Sequence, residues 1–377
     1  MKKITSTLAL LVLCFFHVSV SASEYSGKTE QITLSSKVLG EERELIVYLP
    51  ADYDSTDSKF AVLYVTDGQI QGQHTAGSVD FLSKFDQIPS LIVVGIVNPQ
   101  GISRTKDLTL AKPDNPQAEL AGADRFLSFI ETEVIPQIKS RYRTLDYQAL
   151  SGTSHGGQFA LNALIKRPGL FDGIIAISPS LYWNNSQLLG LAELALKQQA
   201  LKGRLFISIA DEVQDMTVPF ARLTELLKQY PNAALDVAVK TFADESHDST
   251  TLLGQYYGIK HLFPNWAIPN RQQTLADLQA VFSTRSKLLG VTLKIPQDRA
   301  NGYGQWLQYS NLKDEALEMF KWNRKTYAQS FDAHKALISA YLFFKLTDEA
   351  KAAFNEALST LKALSPEQKQ QLEALFT

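Results

Sequence analysis

Residues 149–164 read ALSGTSHGGQFALNAL. A serine, Ser154, stands between Gly152 and Gly156, and a third glycine follows at Gly157. An apolar run, YQALS (Tyr147–Ser151), leads in; a run with helical spacing, QFALNALIKR, leads out. Gly152-Thr153-Ser154-His155-Gly156 fits G-x-S-x-G. The pattern alone is weak, because glycine and serine meet often. Its setting gives it meaning: a sharp strand-to-helix turn forces the central residue into an unfavourable backbone conformation, and side chains beside it would clash, so glycines flank it. A solvated glycine-rich turn is the competing reading. Strand, turn and helix together favour a serine nucleophile held on a strained corner.

Working outward, short β-rich runs alternate with helical patterns from about residue 30 to 265. Strands are expected at Glu44–Leu49, Phe60–Thr66, Leu91–Val97, Tyr147–Ser151, Ile174–Ile177, Leu205–Ala210 and Leu235–Phe242. Several are apolar without alternation, as strands buried on both faces should be. Helical spacing of Phe126, Phe129, Ile130 and Val134 predicts a helix over Asp124–Ser140. The alternation implies an α/β fold with a doubly wound, mostly parallel sheet covered on both sides. A hairpin around Gln31–Leu49 is expected to add antiparallel strands at one edge.

A serine hydroxyl needs a base. Behind a nucleophile elbow the triad partners follow in the order serine, acid, histidine. Six histidines are present. His17 lies in an N-terminal leader, His74 precedes the serine, His155 is in the elbow and His334 lies in a helical tail. His261 sits in a helix-like run, YYGIKHLF, where packing is the better role. His247, in the polar loop ADESHDS after the last strand, is the expected base. The acid should follow LFISIA, where Asp211, Glu212 and Asp215 all stand; spacing does not separate them. The oxyanion hole needs two backbone N–H groups, expected from His155 and from Gln69 in the turn Thr66-Asp67-Gly68-Gln69. No H-x-x-x-H or H-x-H spacing occurs, so no metal site and no cofactor are expected.

The chain has 377 residues, with 45% apolar and 20% charged residues, an ordinary globular balance. Lys2 and Lys3 precede a short apolar run, and Val20-Ser21-Ala22 offers a cleavage site, so residues 1–22 read as a signal peptide and the product as periplasmic or secreted. No membrane span is then expected in the mature chain. Cys14 is the single cysteine, so the exported chain would carry no disulfide or thiolate site. Without the two leader lysines, 35 basic residues face 39 acidic ones, which gives no case for a nucleic-acid partner.

After Trp266 the pattern becomes helical throughout. Leu312-Lys313-Asp314-Glu315-Ala316 recurs as Leu346-Thr347-Asp348-Glu349-Ala350, and Phe320 as Phe354. The offset of 34 is the period of tetratricopeptide helix pairs. Residues 23–266 are therefore read as the α/β domain and 267–377 as a small all-α, TPR-like domain. Two repeats bury their faces poorly alone, so this tail should lean on the α/β domain or on another subunit, and a protein partner or self-association through it is possible.

Residues 28–266 resemble a bacterial esterase family of the α/β-hydrolase fold, the group that contains esterase D-like enzymes and ferric-enterobactin esterases. The resemblance rests on Val62-Leu63-Tyr64 with Asp67-Gly68, Arg104-Thr105-Lys106-Asp107-Leu108-Thr109, Gly122-Ala123-Asp124 with Phe126, the elbow at Ser154, Ser178-Pro179-Ser180-Leu181-Tyr182-Trp183, and Tyr257-Gly258 through Phe263-Pro264-Asn265-Trp266. It implies Ser154 as nucleophile and His247 as base, favours Glu212 as the acid, and sets Arg104 and Trp183 near the substrate. One departure is His155, where the family usually carries an apolar residue. The implied activity is that of an exported serine esterase acting on a small-molecule ester, with a siderophore or acyl-sugar ester as candidates. The alternatives are acyl transfer to an alcohol and a non-catalytic scaffold with a vestigial core. Pocket-forming loops such as Asn98–Gln117 are not legible from the sequence.

Overall fold

The computed structural model describes residues 25–111, 122–269 and 273–377. The leader with Cys14 and His17, and residues 112–117 of the loop just named, lie outside the described residues.

The chain enters as a hairpin, β1 (Lys28–Ser36) and β2 (Glu41–Leu49), antiparallel throughout. There follow β3 (Phe60–Val65), α1 (Gly68–Lys84), β4 (Leu91–Ile96), α2 (Ile102–Leu108), α3 (Ala123–Phe129) and α4 (Ile135–Arg141). Next come β5 (Thr144–Thr153), α5 (His155–Lys166), β6 (Gly173–Ile177), α6 (Trp183–Lys197), β7 (Gly203–Ala210), α7 (Gln214–Gln229), β8 (Leu235–Phe242) and α8 (Thr250–Leu262). The sheet has eight strands in the order β1-β2-β4-β3-β5-β6-β7-β8. Pairings from β4 to β8 are parallel, and β2 joins β4 antiparallel. This is the expected α/β-hydrolase sheet with its antiparallel edge. The helix read over Asp124–Ser140 is present with one difference: a π turn, Ile130–Val134, separates α3 from α4.

Strand composition explains the two layers. All six residues of β3 are buried. Phe60, Val62 and Tyr64 feed one hydrophobic core, while Ala61, Leu63 and Val65 feed the other. The period-2 alternation of side chains sends successive apolar residues to opposite faces. From β3 the chain first builds outward to β4 and then returns to β5 on the other side. The crevice between the carboxyl ends of β3 and β5 is therefore the topological switch point, where such sheets bind ligands.

Six helices follow: α9 (Leu275–Leu289), α10 (Gln297–Tyr309), α11 (Lys313–Thr326), α12 (Phe331–Phe343), α13 (Thr347–Thr360) and α14 (Pro366–Glu373). The offset of 34 governs the geometry as well as the letters. The starts of α10 and α12, and of α11 and α13, are 34 residues apart. Both intervening turns carry a left-handed residue, Asn311 or Lys345, and close with the same backbone bond, Leu312 N–H to Leu307 O and Leu346 N–H to Tyr341 O. Ala316 and Ala350 are both fully buried where these helices cross.

The tail leans on the sheet domain through α9. Leu289 enters the core shared with Leu63 and Ile175. Arg285, only 4% exposed, donates twice to Trp266 O, at 2.9 and 2.6 Å, and once to Asp86, at 2.7 Å. Its guanidinium also lies over the Trp266 ring. Replacing it strands a buried carbonyl and removes one partner of Asp86. Arg285→Met should therefore lower unfolding free energy by about 2–4 kcal/mol in urea denaturation. An unchanged midpoint would mean that this clamp adds no net stability.

Candidate active site

Ser154 follows β5 directly and adopts φ 60°, ψ −120°. That conformation is strained for a residue with a side chain, and neighbouring close contacts hold it. A Cβ on Gly152 would come 2.2 Å from Gly156 O, and one on Gly156 would come 2.3 Å from Thr66 Oγ1. The Ser154 N–H donates to Ile177 O at 2.9 Å, and Ser180 N–H donates to Ser154 O at 3.1 Å. Close backbone approach thus calls for glycine at position 152, and the Thr66 side chain packs into the space that a side chain at position 156 would take.

His247 lies in the turn after β8, and Glu212 lies just beyond β7. His247 Nδ1 and Glu212 Oε2 are 3.0 Å apart. The Glu212 side chain is 3% exposed and that of His247 is 38% exposed. Glu212 Oε1 accepts from Ser178 Oγ and from Ala210 N–H. Of the three acids open from sequence, Glu212 meets the imidazole, whereas Asp211 and Asp215 are exposed. The Ser154 hydroxyl bonds Ser180 Oγ at 3.1 Å. No hydrogen bond joins it to His247 among the described residues, yet both residues border the same two clefts. The smaller, about 440 Å³, also takes Asp67, Gln71 and Arg104; the larger, about 750 Å³, takes Ser180, Tyr182, Val213 and Met216.

The amides expected at the oxyanion belong to first turns of helices, where N–H groups lack an intrahelical acceptor. His155 opens α5, and Gln69 is the second residue of α1. The Gln69 side chain is occupied elsewhere: its Nε2 donates to Asn98 O at 2.7 Å, and its Oε1 accepts from Asn98 N–H at 3.2 Å. Arg104 borders the smaller cleft while gripping Asp67 in a two-pronged ion pair, at 2.6 and 2.9 Å. Asp67 N–H donates to Asn98 Oδ1, Asn98 Nδ2 donates to Asp107, and Arg43 holds Asp107 with two bonds. Trp183 stands edge-on to His155, ring centroids 5.0 Å apart.

Sequence reasoning missed three features. The Arg43–Asp107–Asn98–Asp67 chain joins residues up to 64 positions apart and leaves no local mark. Ser178 and Ser180 entered only as letters of a family motif. After Trp183, the residues Asn184, Asn185 and Ser186 form a left-handed turn, costly for most side chains but tolerated by Asn; the Asn-Asn-Ser run was its available signal. Among the described residues no three His, Cys, Asp or Glu side chains gather as a metal-ligand group.

His155 departs from ordinary histidine behaviour. Burial, then Arg104 and His247, pull its pKa down to about 4. Its folded pKa lies below its unfolded value, so the unfolded chain binds the extra proton between about pH 6.5 and 4. Stability from this residue is complete above pH 6.5 and falls as pH drops through that window, by about 3 kcal/mol at most. His155→Gln should flatten the acid dependence of urea midpoints between pH 7 and 4.5. An unchanged slope would reject this account.

A family model described as "Putative esterase" matches residues 36–240. A siderophore triacetylfusarinine C esterase of Aspergillus fumigatus is 50% identical over 66 residues, 17% of this chain and 23% of that protein. A siderophore enterobactin esterase of Emericella nidulans is 40% identical over 89 residues, 23% of this chain and 29% of that protein. The matches thus span about a quarter of the length of these curated relatives. The crystal structure of an IroE-like serine hydrolase from Shewanella oneidensis superposes with a TM-score of 0.67 at 28% identity, covering 80% of this chain and 100% of that one. On the family match, which takes in more than half of its residues, the chain belongs to this esterase family.

Proposed function

We propose that the protein hydrolyses carboxylic esters by a Ser154–His247–Glu212 triad. The observation that carries this reading is the buried Glu212 carboxylate 3.0 Å from His247 Nδ1, with His247 and Ser154 bordering shared clefts at the switch point of the sheet. Glu212 fixes the imidazole so that Nδ1 carries the proton and Nε2 faces the cleft; it also stabilises the imidazolium. Ser154 Oγ attacks the ester carbonyl while its proton passes to His247 Nε2. Catalytic hydrogen bonds commonly tighten only in the complex. The His155 and Gln69 N–H groups take the oxyanion. His247 then protonates the departing alcohol, and water repeats the sequence on the acyl-enzyme.

The names of the relatives favour a siderophore ester as substrate, with an acyl-sugar ester as the alternative. The free edge of Arg104 and the Trp183–His155 wall would face it. Export follows from the N-terminal lysines and apolar run, with cleavage after Ala22 and a periplasmic or secreted product. No helix among the described residues is long and apolar enough to cross a membrane. The division at residues 266 and 267, and a TPR-like tail that recruits a protein, complete the reading; the recurring helix geometry supports the latter.

Purified protein tested on a panel of short-chain p-nitrophenyl esters and ferric siderophores should hydrolyse at least one. Ser154→Ala should lower kcat by a factor on the order of 10⁶, and Glu212→Gln by about 10³–10⁴. Asp211→Asn and Asp215→Asn should turn over like the parent. Full activity of Ser154→Ala would end this reading, and failure of a serine-directed phosphonate to label folded protein would favour a scaffold role.

A further inference from the structure

The geometry points to Ser180 as a further catalytic residue: its hydroxyl donates to Ser154 Oγ in the steps where that atom gains negative charge. This inference rests on the triad proposed above. Ser180 is 1% exposed, yet it borders the larger cleft. Among the described residues, the sole hydrogen-bond partner of its side chain is the Ser154 hydroxyl, at 3.1 Å. A buried hydroxyl is expected to have a partner, and here that partner is the reacting atom itself.

Ser180 has little freedom to leave. Its own N–H donates to Ser154 O, and the end of β6 holds Ser154 N–H through Ile177 O. A Cβ on Gly157 would lie 2.9 Å from Ile177 O and 3.2 Å from Pro179 Cα, so the turn abuts the start of α5. The same turn bonds Glu212 through Ser178 Oγ. One short segment therefore touches both the nucleophile and the acid, while the base arrives on a separate loop.

Each of the two hydroxyls has one proton. For attack, the Ser154 proton must pass to His247, so the productive arrangement has Ser180 as donor. Oγ then bonds the carbonyl carbon, the carbonyl π pair moves onto oxygen, and His247 delivers the proton to the leaving alkoxide. In deacylation, water adds to the acyl carbon and yields a proton to His247; collapse breaks the C–Oγ bond, and Oγ recovers the proton from His247. Ser180 keeps its own proton throughout. Hydrogen bonds to charged oxygen are stronger than to neutral hydroxyls. The gain is thus confined to the transition states of both half-reactions, so it raises kcat and leaves KM unaffected.

The test uses the purified full chain and a short-chain p-nitrophenyl ester that it hydrolyses. Ser180→Ala should lower kcat about tenfold with KM within about twofold, since a charge-assisted bond is lost. Its thermal midpoint and the acid limb of its pH profile should match the parent, because Glu212 and His247 are untouched. Ser180→Thr should recover most of kcat. The inference is overturned if Ser180→Ala keeps the parental kcat, if only KM changes, or if Ser180→Thr is no better than Ser180→Ala. Ser154→Ala, run in parallel, separates the two readings. Inactive Ser154→Ala with fully active Ser180→Ala removes Ser180 alone, whereas active Ser154→Ala removes the triad.

Discussion

The structure is organised around the close approach of backbone to backbone beneath Ser154. A residue held at φ 60°, ψ −120° costs on the order of 1–3 kcal/mol and persists only where its surroundings over-determine it. Here they do. Strand β5 is central and pairs with β3 and β6, Ile177 at the end of β6 and Ser180 in the turn beyond it bond the serine, and Thr66 presses against Gly156 from the other side. The absence of Cβ atoms at positions 152 and 156 is what lets the three strand ends converge. Relax that convergence and the hydroxyl no longer projects between the two clefts.

Electrostatics then fixes what surrounds the corner. Arg43, Asp107, Asn98 and Asp67 are all buried, and each is paired in a chain that ends on Arg104 at the cleft. A buried ion pair adds little net stability, but loss of one partner leaves an uncompensated charge and costs several kcal/mol. The chain therefore acts as a registration device. It ties α2 to strand β2 and to the turn after β3, so the Arg104 wall and the Gln69 amide keep a fixed relation to Ser154.

The helical tail follows from the same accounting of buried surface. Two helix pairs with a period of 34 expose an apolar end, and α9 covers it: its first turns join the tail core through Leu275 and Leu278, and Leu289 reaches the sheet core. Arg285 seals that joint with bonds to Trp266 and Asp86. Covering that end removes apolar surface that two helix pairs would otherwise expose to water.

The sequence by itself determined the elements and their class. Strand and helix periods, the glycines around Ser154 and the 34-residue recurrence are local properties, written in neighbouring letters, and the sheet with its antiparallel edge and helical tail was legible from them. A candidate base could be named by elimination, since few histidines stood in a permitted place. Which of Asp211, Glu212 and Asp215 would lie against that histidine could not be read, because acids so close in sequence look alike until the fold brings Glu212 to a residue 35 positions away. The left-handed turn after Trp183, the contact of Ser180 with the Ser154 hydroxyl and the buried chain from Arg43 to Arg104 were likewise decided only in three dimensions. Hydrogen bonds between distant segments depend on distance and angle, and a linear order of residues specifies neither.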